Sequence, residues 1–160
     1  MSAESRKLSV LKEIAAVLDG PGKPEGVTVH RQRDRPIWVD DLPAIVVYPA
    51  PNPNDVEEEV SWSRTGGRMG GSVDRTMNCR IELRAEVPDD EPATDVLDPL
   101  YVWAVKALHG SDRLNGLVVR GPEEQRSASQ TETDGERTIA RMAVEFEVLY
   151  RTRMLDPTEA

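Results

Sequence analysis

Met77-Asn78-Cys79-Arg80-Ile81-Glu82-Leu83-Arg84-Ala85-Glu86-Val87 alternates apolar and polar side chains without a break. Successive side chains of an extended chain point to opposite faces, so Met77, Cys79, Ile81, Leu83, Ala85 and Val87 share one face, and Asn78, Arg80, Glu82, Arg84 and Glu86 share the other. The pattern returns near the end, where Ala140, Met142, Val144, Phe146, Val148 and Tyr150 stand opposite Arg141, Glu145, Glu147 and Arg151. At roughly 1.5–3 kcal/mol for each larger side chain buried, either strand contributes on the order of 10 kcal/mol as an upper bound. A slip of one residue forfeits that burial, so these two strands are expected to fix the register of a sheet.

Shorter signals lie around them. Leu11, Ile14, Ala15 and Leu18 recur at i, i+3, i+4 and i+7 ahead of Gly20-Pro21-Gly22, which predicts an amphipathic helix over residues 8–18. Leu100, Trp103, Ala104, Ala107 and Leu108 predict a second helix closed by His109 and Gly110. It starts either at an Asp98 cap with Pro99 in first position or earlier, from Thr94. Ala44 to Tyr48 is an apolar, β-branched run between Pro43 and Pro49 and predicts a buried strand. Val27 with Val29, Ile37 to Val39, and Leu117 to Arg120 predict shorter strand pieces, and residues 122–136 are expected to form a polar connection. Residues 50–75, which hold an acidic run and Gly66-Gly67-Arg68-Met69-Gly70-Gly71, show no sustained period and predict a long inter-strand loop or hairpin insertion. Residues 153–160 read as a C-terminal tail. The whole is expected to be one α+β domain over 1–160, an antiparallel β-sheet with two α-helices packed on one face.

Composition bounds the function. Leu, Ile, Val and Phe number 36 of 160 residues, just above the level at which charged chains stay disordered, so the core is expected to be modest. The 29 acidic residues against 20 basic give a net charge of −9, which argues against a basic grip on nucleic acid and against adsorption to an anionic membrane. One cysteine makes no internal disulfide, and no Cys/His spacing fits structural zinc. No apolar run approaches the roughly 18 residues of a membrane span, and the start lacks the apolar block of a signal peptide. A soluble, cytoplasmically made protein is the expectation.

Catalytic constellations are thin, and no enzyme, cofactor or metal site is expected. His30 and His109 are the only histidines, and His109 falls in a helix's last turn, where a cation is welcome without any chemistry. No GxSxG elbow occurs. The glycine pairs at 66–71 have phosphate-loop spacing, but Ser72 stands where such a loop needs Lys. Asp40-Asp41 and Asp89-Asp90 could serve as metal ligands or acid/base pairs, while their proline neighbours favour solvated turns. Cys79 falls on an apolar strand face, where an inert buried thiol is expected. Arg31, Arg33 and Arg35 form a small basic cluster that suits a solvated edge or a partner contact. The Arg/Glu alternation on both outward strand faces suits cross-strand ion pairs in solvent, or packing against another copy.

Taken in order, several phrases resemble the tail terminator proteins of long-tailed bacteriophages, which cap the head-proximal end of the tail tube. They are residues 8–18, Asp40-Asp41-Leu42-Pro43-Ala44-Ile45-Val46-Val47-Tyr48-Pro49, the strand Arg80 to Val87, and Leu97-Asp98-Pro99-Leu100 leading into a helix that ends Ala107-Leu108. Leu114-Asn115-Gly116-Leu117 and the closing Val148-Leu149-Tyr150-Arg151-Thr152 follow. The resemblance implies a structural virion subunit that forms a six-membered ring, ends tube polymerisation and offers a surface to the head connector. Its implied partners are further copies of itself, the tail tube protein and a neck protein. Its place is the virion tail or neck, assembled in the host cytoplasm, with DNA passing through the lumen unbound. A ring needs two different patches of one subunit to meet. Trp62, Arg64, Arg68 and Met69 of the insertion and Arg80, Glu82, Arg84, Glu145 and Glu147 of the charged face are the candidate interface residues. Another head-completion or connector protein of the neck, or a small intracellular binding or enzymatic domain, remains open beside this reading.

Overall fold

The computed structural model describes residues 4–31, 37–50, 58–62, 71–153 and 157–158. Its elements run α1 (Arg6–Leu18), β1 (Thr28–Arg31), a 3-10 turn (Val39–Asp41), β2 (Ala44–Tyr48), β3 (Glu58–Trp62), β4 (Ser72–Val87), α2 (Ala93–His109), β5 (Arg120–Asp134) and β6 (Arg137–Arg153). A further helical turn, Asp112–Gly116, precedes β5. The strands form one sheet in the order β1-β2-β4-β6-β5, with β3 also on β4. Only β1 and β2 run parallel; the other pairings are antiparallel. The α+β class is therefore as expected.

The alternation sets the register. Met77 lies opposite Val148, Cys79 opposite Phe146, Ile81 opposite Val144 and Ala85 opposite Ala140, so the two apolar rows fall on the same face of the sheet. Both helices cover that face. Val10, Ile14 and Leu18 of α1 and Leu97, Leu100, Ala104 and Leu108 of α2 are buried in one cluster with Ile45, Ile81, Leu83 and Phe146. The buried stripe of α1 runs through Val10, with Leu11 and Ala15 on its flank. Ser5 caps α1, its hydroxyl accepting from the Leu8 amide at 3.3 Å. The start of α2 is the earlier of the two alternatives: Pro92 is its N-cap, and Pro99 sits inside the helix.

Three expectations are corrected, and the hairpin alternative for residues 50–75 is met by β3 and the start of β4. Residues 122–136 are not a connection but the body of β5 and its turn into β6. From Gln125 to Arg137 every residue is exposed, so no alternation could announce this strand, which is held by its ladder to β6. Gly135 turns it, with φ 64 at the first central position of a two-residue loop. Leu117 to Val119 precede the strand rather than form it, although the Val119 amide donates to the Leu149 carbonyl at 2.7 Å. Ile37 to Val39 lead into the 3-10 turn instead of a strand. The insertion is partly sheet: β3 pairs with the first part of β4, Glu58 opposite Met77 and Trp62 opposite Val73. Because β2 pairs with β4 further along, from Tyr48 opposite Arg80 to Ala44 opposite Arg84, β2 and β3 share one edge of β4.

Two backbone sites carry local strain or need. Asp112, Arg113, Leu114 and Asn115 all take φ of 43 to 55, a left-handed turn that costs non-glycine residues roughly 1–2 kcal/mol each. Burial of Leu114 and the Ser111 hydroxyl accepting from the Leu114 amide at 3.3 Å hold it. Gly121 has φ +91, and a Cβ there would stand 2.5 Å from the Glu147 carbonyl oxygen. Arg113→Gly is thus expected to raise stability by about 0.5–1 kcal/mol by relieving the left-handed strain. Gly121→Ala is expected to lower it by about 2 kcal/mol or more through clash and strain. Urea unfolding of both variants checks the pair, and a stabilised Gly121→Ala would contradict the geometry.

Candidate functional site

The second face of the sheet is a lattice of charges, and the register explains its composition. Arg80 lies opposite Glu145, Asn78 opposite Glu147, Glu82 opposite Ala143 and Arg84 opposite Arg141. On the β2 side Arg80, Glu82 and Arg84 neighbour Tyr48, Val46 and Ala44. Five of the expected interface residues, Arg80, Glu82, Arg84, Glu145 and Glu147, are therefore brought together on one face. Trp62 ends β3 opposite Val73, while Arg64, Arg68 and Met69 lie outside the described residues, as do Arg33 and Arg35 of the basic cluster.

This face is more enclosed than the solvated surface that alternation alone implies. Glu82 is buried at 8% exposure. Its carboxylate takes Arg84 Nε at 2.5 Å and Arg80 Nη2 at 3.7 Å. Tyr48 organises both arginines: the Arg80 guanidinium sits 4.5 Å over its ring, and Arg84 Nη2 donates to its hydroxyl at 3.3 Å. Cation–π geometry of this kind contributes on the order of 1 kcal/mol. Toward the β5 edge the pairs are more exposed, Arg126 to Glu145 at 2.7 Å, Arg120 to Glu147 at 2.6 Å and Arg141 to Glu132 at 2.7 Å, each worth up to about 1 kcal/mol. A groove of about 300 Å³ lined by Arg80, Glu82, Gln130 and Arg141 runs across the face. The Nε atoms of Arg80 and Arg141 are buried there without a hydrogen-bond partner among the described residues.

On the opposite face a polar knot ties the insertion to the sheet. Glu58 of β3 receives hydrogen bonds from Arg75 and from the Tyr150 hydroxyl, and Arg75 Nε donates to Thr152 Oγ1 at 3.0 Å. Tyr150 and Thr152 are buried, so the carboxylate and guanidinium satisfy polar atoms that would otherwise be left without partners. Sequence reasoning passed over this knot. The available signal was Arg75 and Thr152, polar residues at positions in phase with the apolar rows.

The remaining candidates read as structure. His30 Nε2 lies 3.0 Å from Thr28 Oγ1, and His109 ends α2 in an exposed position. Cys79 is fully buried, with Sγ 3.6 Å from the Phe146 carbonyl. Desolvation pushes its thiol up to about 12, so it stays a thiol at neutral pH, as expected of an inert core residue. Among the described residues no three His, Cys, Asp or Glu side chains gather as metal ligands. No helix of the described chain is long and apolar enough to cross a membrane. The sequence matches no protein-family profile, and no curated protein matches it.

One surface pair reports on the lattice's edge. Arg151 clasps Asp74 through two hydrogen bonds, Nε to Oδ1 at 2.6 Å and Nη2 to Oδ2 at 3.1 Å, and this bond holds the Asp74 carboxyl below its usual value. A depressed carboxylate adds stability above its unfolded pKa and loses it as pH falls through the folded one. NMR titration is expected to find Asp74 titrating below the ordinary aspartate range, and Arg151→Ala to move it back up. An unchanged titration in the variant would mean the clasp does not form in solution.

Proposed function

We propose that this chain is a structural subunit of a long-tailed bacteriophage virion, a tail terminator whose copies form a ring at the head-proximal end of the tail tube. The ring ends tube polymerisation and offers the neck a joining surface. The observation that carries the reading, beside the ordered resemblance of the sequence, is the open β5 edge. Among the described residues no strand pairs with the outer side of β5, and Ser127-Ala128-Ser129-Gln130-Thr131 presents that edge without charge or proline. Such an edge templates association unless something covers it. β1 lies at the opposite side of the sheet, so copies placed head to tail bring two different patches together, as a closed ring requires.

The charged face supports the same reading. The Arg120–Glu147 and Arg126–Glu145 pairs, whose guanidinium groups are more than half exposed, put charged donors on this face within reach of a neighbour's carboxylate or carbonyl. Arg80, Glu82, Arg84, Glu145 and Glu147 remain the interface residues proposed on this face, with Trp62, Arg64, Arg68 and Met69 proposed for contacts of the insertion. The net charge of −9 suits a conduit through which DNA passes without being held. No reaction, cofactor or metal enters the proposal. Assembly takes place in the host cytoplasm, and the partners are the tail tube protein, a neck protein and further copies of the chain.

Native mass spectrometry is expected to find six copies of the 17.8 kDa chain, and electron microscopy a ring that shortens tubes grown from purified tube protein. Ser127→Lys combined with Thr131→Lys is expected to keep monomer stability within about 0.5 kcal/mol, since both residues are exposed, while abolishing the ring. A monomeric mass at every concentration, together with tubes of unaltered length, would overturn the proposal.

A further inference from the structure

Among the described residues, the acidic excess gathers at one end of the sheet. The chain segments 24–28, 38–43, 86–95 and 132–138 meet there: Thr28 donates its amide to the Pro43 carbonyl at 3.0 Å, Val87 pairs with Thr138, and Arg137 lies 3.6 Å from both Asp40 and Glu86. These segments hold eleven acidic residues and one basic, against 13 acidic and 15 basic among the other described residues. Asp40, Asp89, Asp90 and Glu91 are exposed.

Two apolar features occupy the same end. Trp38 is 70% exposed, in contrast to Trp103, which is half-buried and donates from Nε1 to the Leu18 carbonyl at 3.3 Å. Trp38 is held on a fixed support. Its carbonyl accepts from the Asp41 amide at 2.9 Å, the Leu42 amide donates to the Val39 carbonyl at 3.2 Å, and the Asp41 carbonyl accepts from the Thr28 hydroxyl at 2.9 Å. The same turn ends in Leu42 and Pro43, which with Val27, Val96, Pro99 and Leu100 wall a groove of about 390 Å³. That volume lies within the roughly 300–1,000 Å³ of binding clefts. An exposed indole carried by the same hydrogen-bonded turn whose end lines a cleft suits an interface hot spot.

We propose that this end is a docking surface for a basic segment of another protein, one that seats apolar side chains in the groove and against Trp38 while its Lys or Arg residues face the acidic rim. Charge selects this occupant. Phosphate backbones and anionic membranes are repelled by the rim, and the other described residues of a second copy, 13 acidic against 15 basic, offer no comparable basic excess. The proposal does not rest on the ring reading.

The test titrates the full-length protein with three peptides of about twelve residues: one of Lys, Leu and Pro, one of equal charge built from Lys, Ser and Gly, and one of Glu, Leu and Pro. Only the first is expected to bind, shifting the NMR signals of the Trp38 indole and of the Leu42, Val96 and Leu100 amides. Trp38→Ala is expected to weaken that binding by about tenfold or more without moving the melting temperature. Asp89→Asn with Asp90→Asn and Glu91→Gln is expected to flatten its dependence on salt. Equal binding of the Lys/Ser/Gly peptide would reduce the site to bulk electrostatics, and equal binding of the Glu/Leu/Pro peptide would remove the role of charge. Either result overturns the proposal, as do failure of all three peptides, shifts centred elsewhere, or self-association that Trp38→Ala abolishes. The native mass decides the ring separately, so the two ideas fail by different observations.

Discussion

The ladder between β4 and β6 is the constraint on which the rest of the structure depends. All sixteen residues of β4 pair in unbroken register with β6, from Ser72 opposite Arg153 to Val87 opposite Thr138. Since each strand alternates, this one alignment places every apolar row under the helices and every Arg/Glu row on the far side. Moving β4 by a single residue would drive Arg80, Glu82 and Arg84 under α2 and expel Ile81, Leu83 and Cys79 into the charged lattice; moving β6 would do the same to Glu145 and Phe146. The energetic separation between the native register and its neighbours is therefore large, and the shorter elements inherit their positions from it.

The edges of the sheet follow different rules from its centre. β2 is buried through Ala44, Ile45, Val46 and Val47, because helix covers one side and the long arginine stems and Tyr48 pack over the other. β5 is the reverse, a strand defined by hydrogen bonds with almost no burial. Its first part carries two register irregularities, between Arg120 and Glu123 and between Glu124 and Arg126, which blunt that stretch of the edge. Tyr101 of α2 reaches the same stretch, donating to Glu124 at 2.9 Å, so the helix braces the start of β5 and leaves the remainder standing clear.

How much of this was legible in the sequence tracks how much of it is written in burial. Residues 77–87 and 140–151 could be read because their two faces differ, and the same alternation located Arg80, Glu82, Arg84, Glu145 and Glu147 on a common surface. Cys79 could be read as inert for the same reason. β5 could not, because both of its faces meet water and its residues carry no two-fold signal. The left-handed turn at 112–115 was hidden because Arg113 and Leu114 disfavour positive φ, although Asp112, Asn115 and Gly116 tolerate it. Trp38 was taken for strand because an aromatic between Ile37 and Val39 suits a sheet by propensity, whereas the backbone bonds of the 3-10 turn decide its place. Arg75 and Glu58 needed the pairing of β3 with β4 before their mutual proximity had meaning.

The uneven distribution of charge has a consequence for how the molecule moves before it touches anything. With eleven acidic residues and one basic gathered at the pole where β4 ends and β6 begins, against 13 acidic and 15 basic among the other described residues, the described part of the protein carries an asymmetric field. Within the roughly 8–10 Å over which such fields survive in physiological salt, an approaching cationic surface exerts a torque as well as a pull. The molecule turns that pole forward during diffusion, so that fewer encounters are wasted in the wrong orientation.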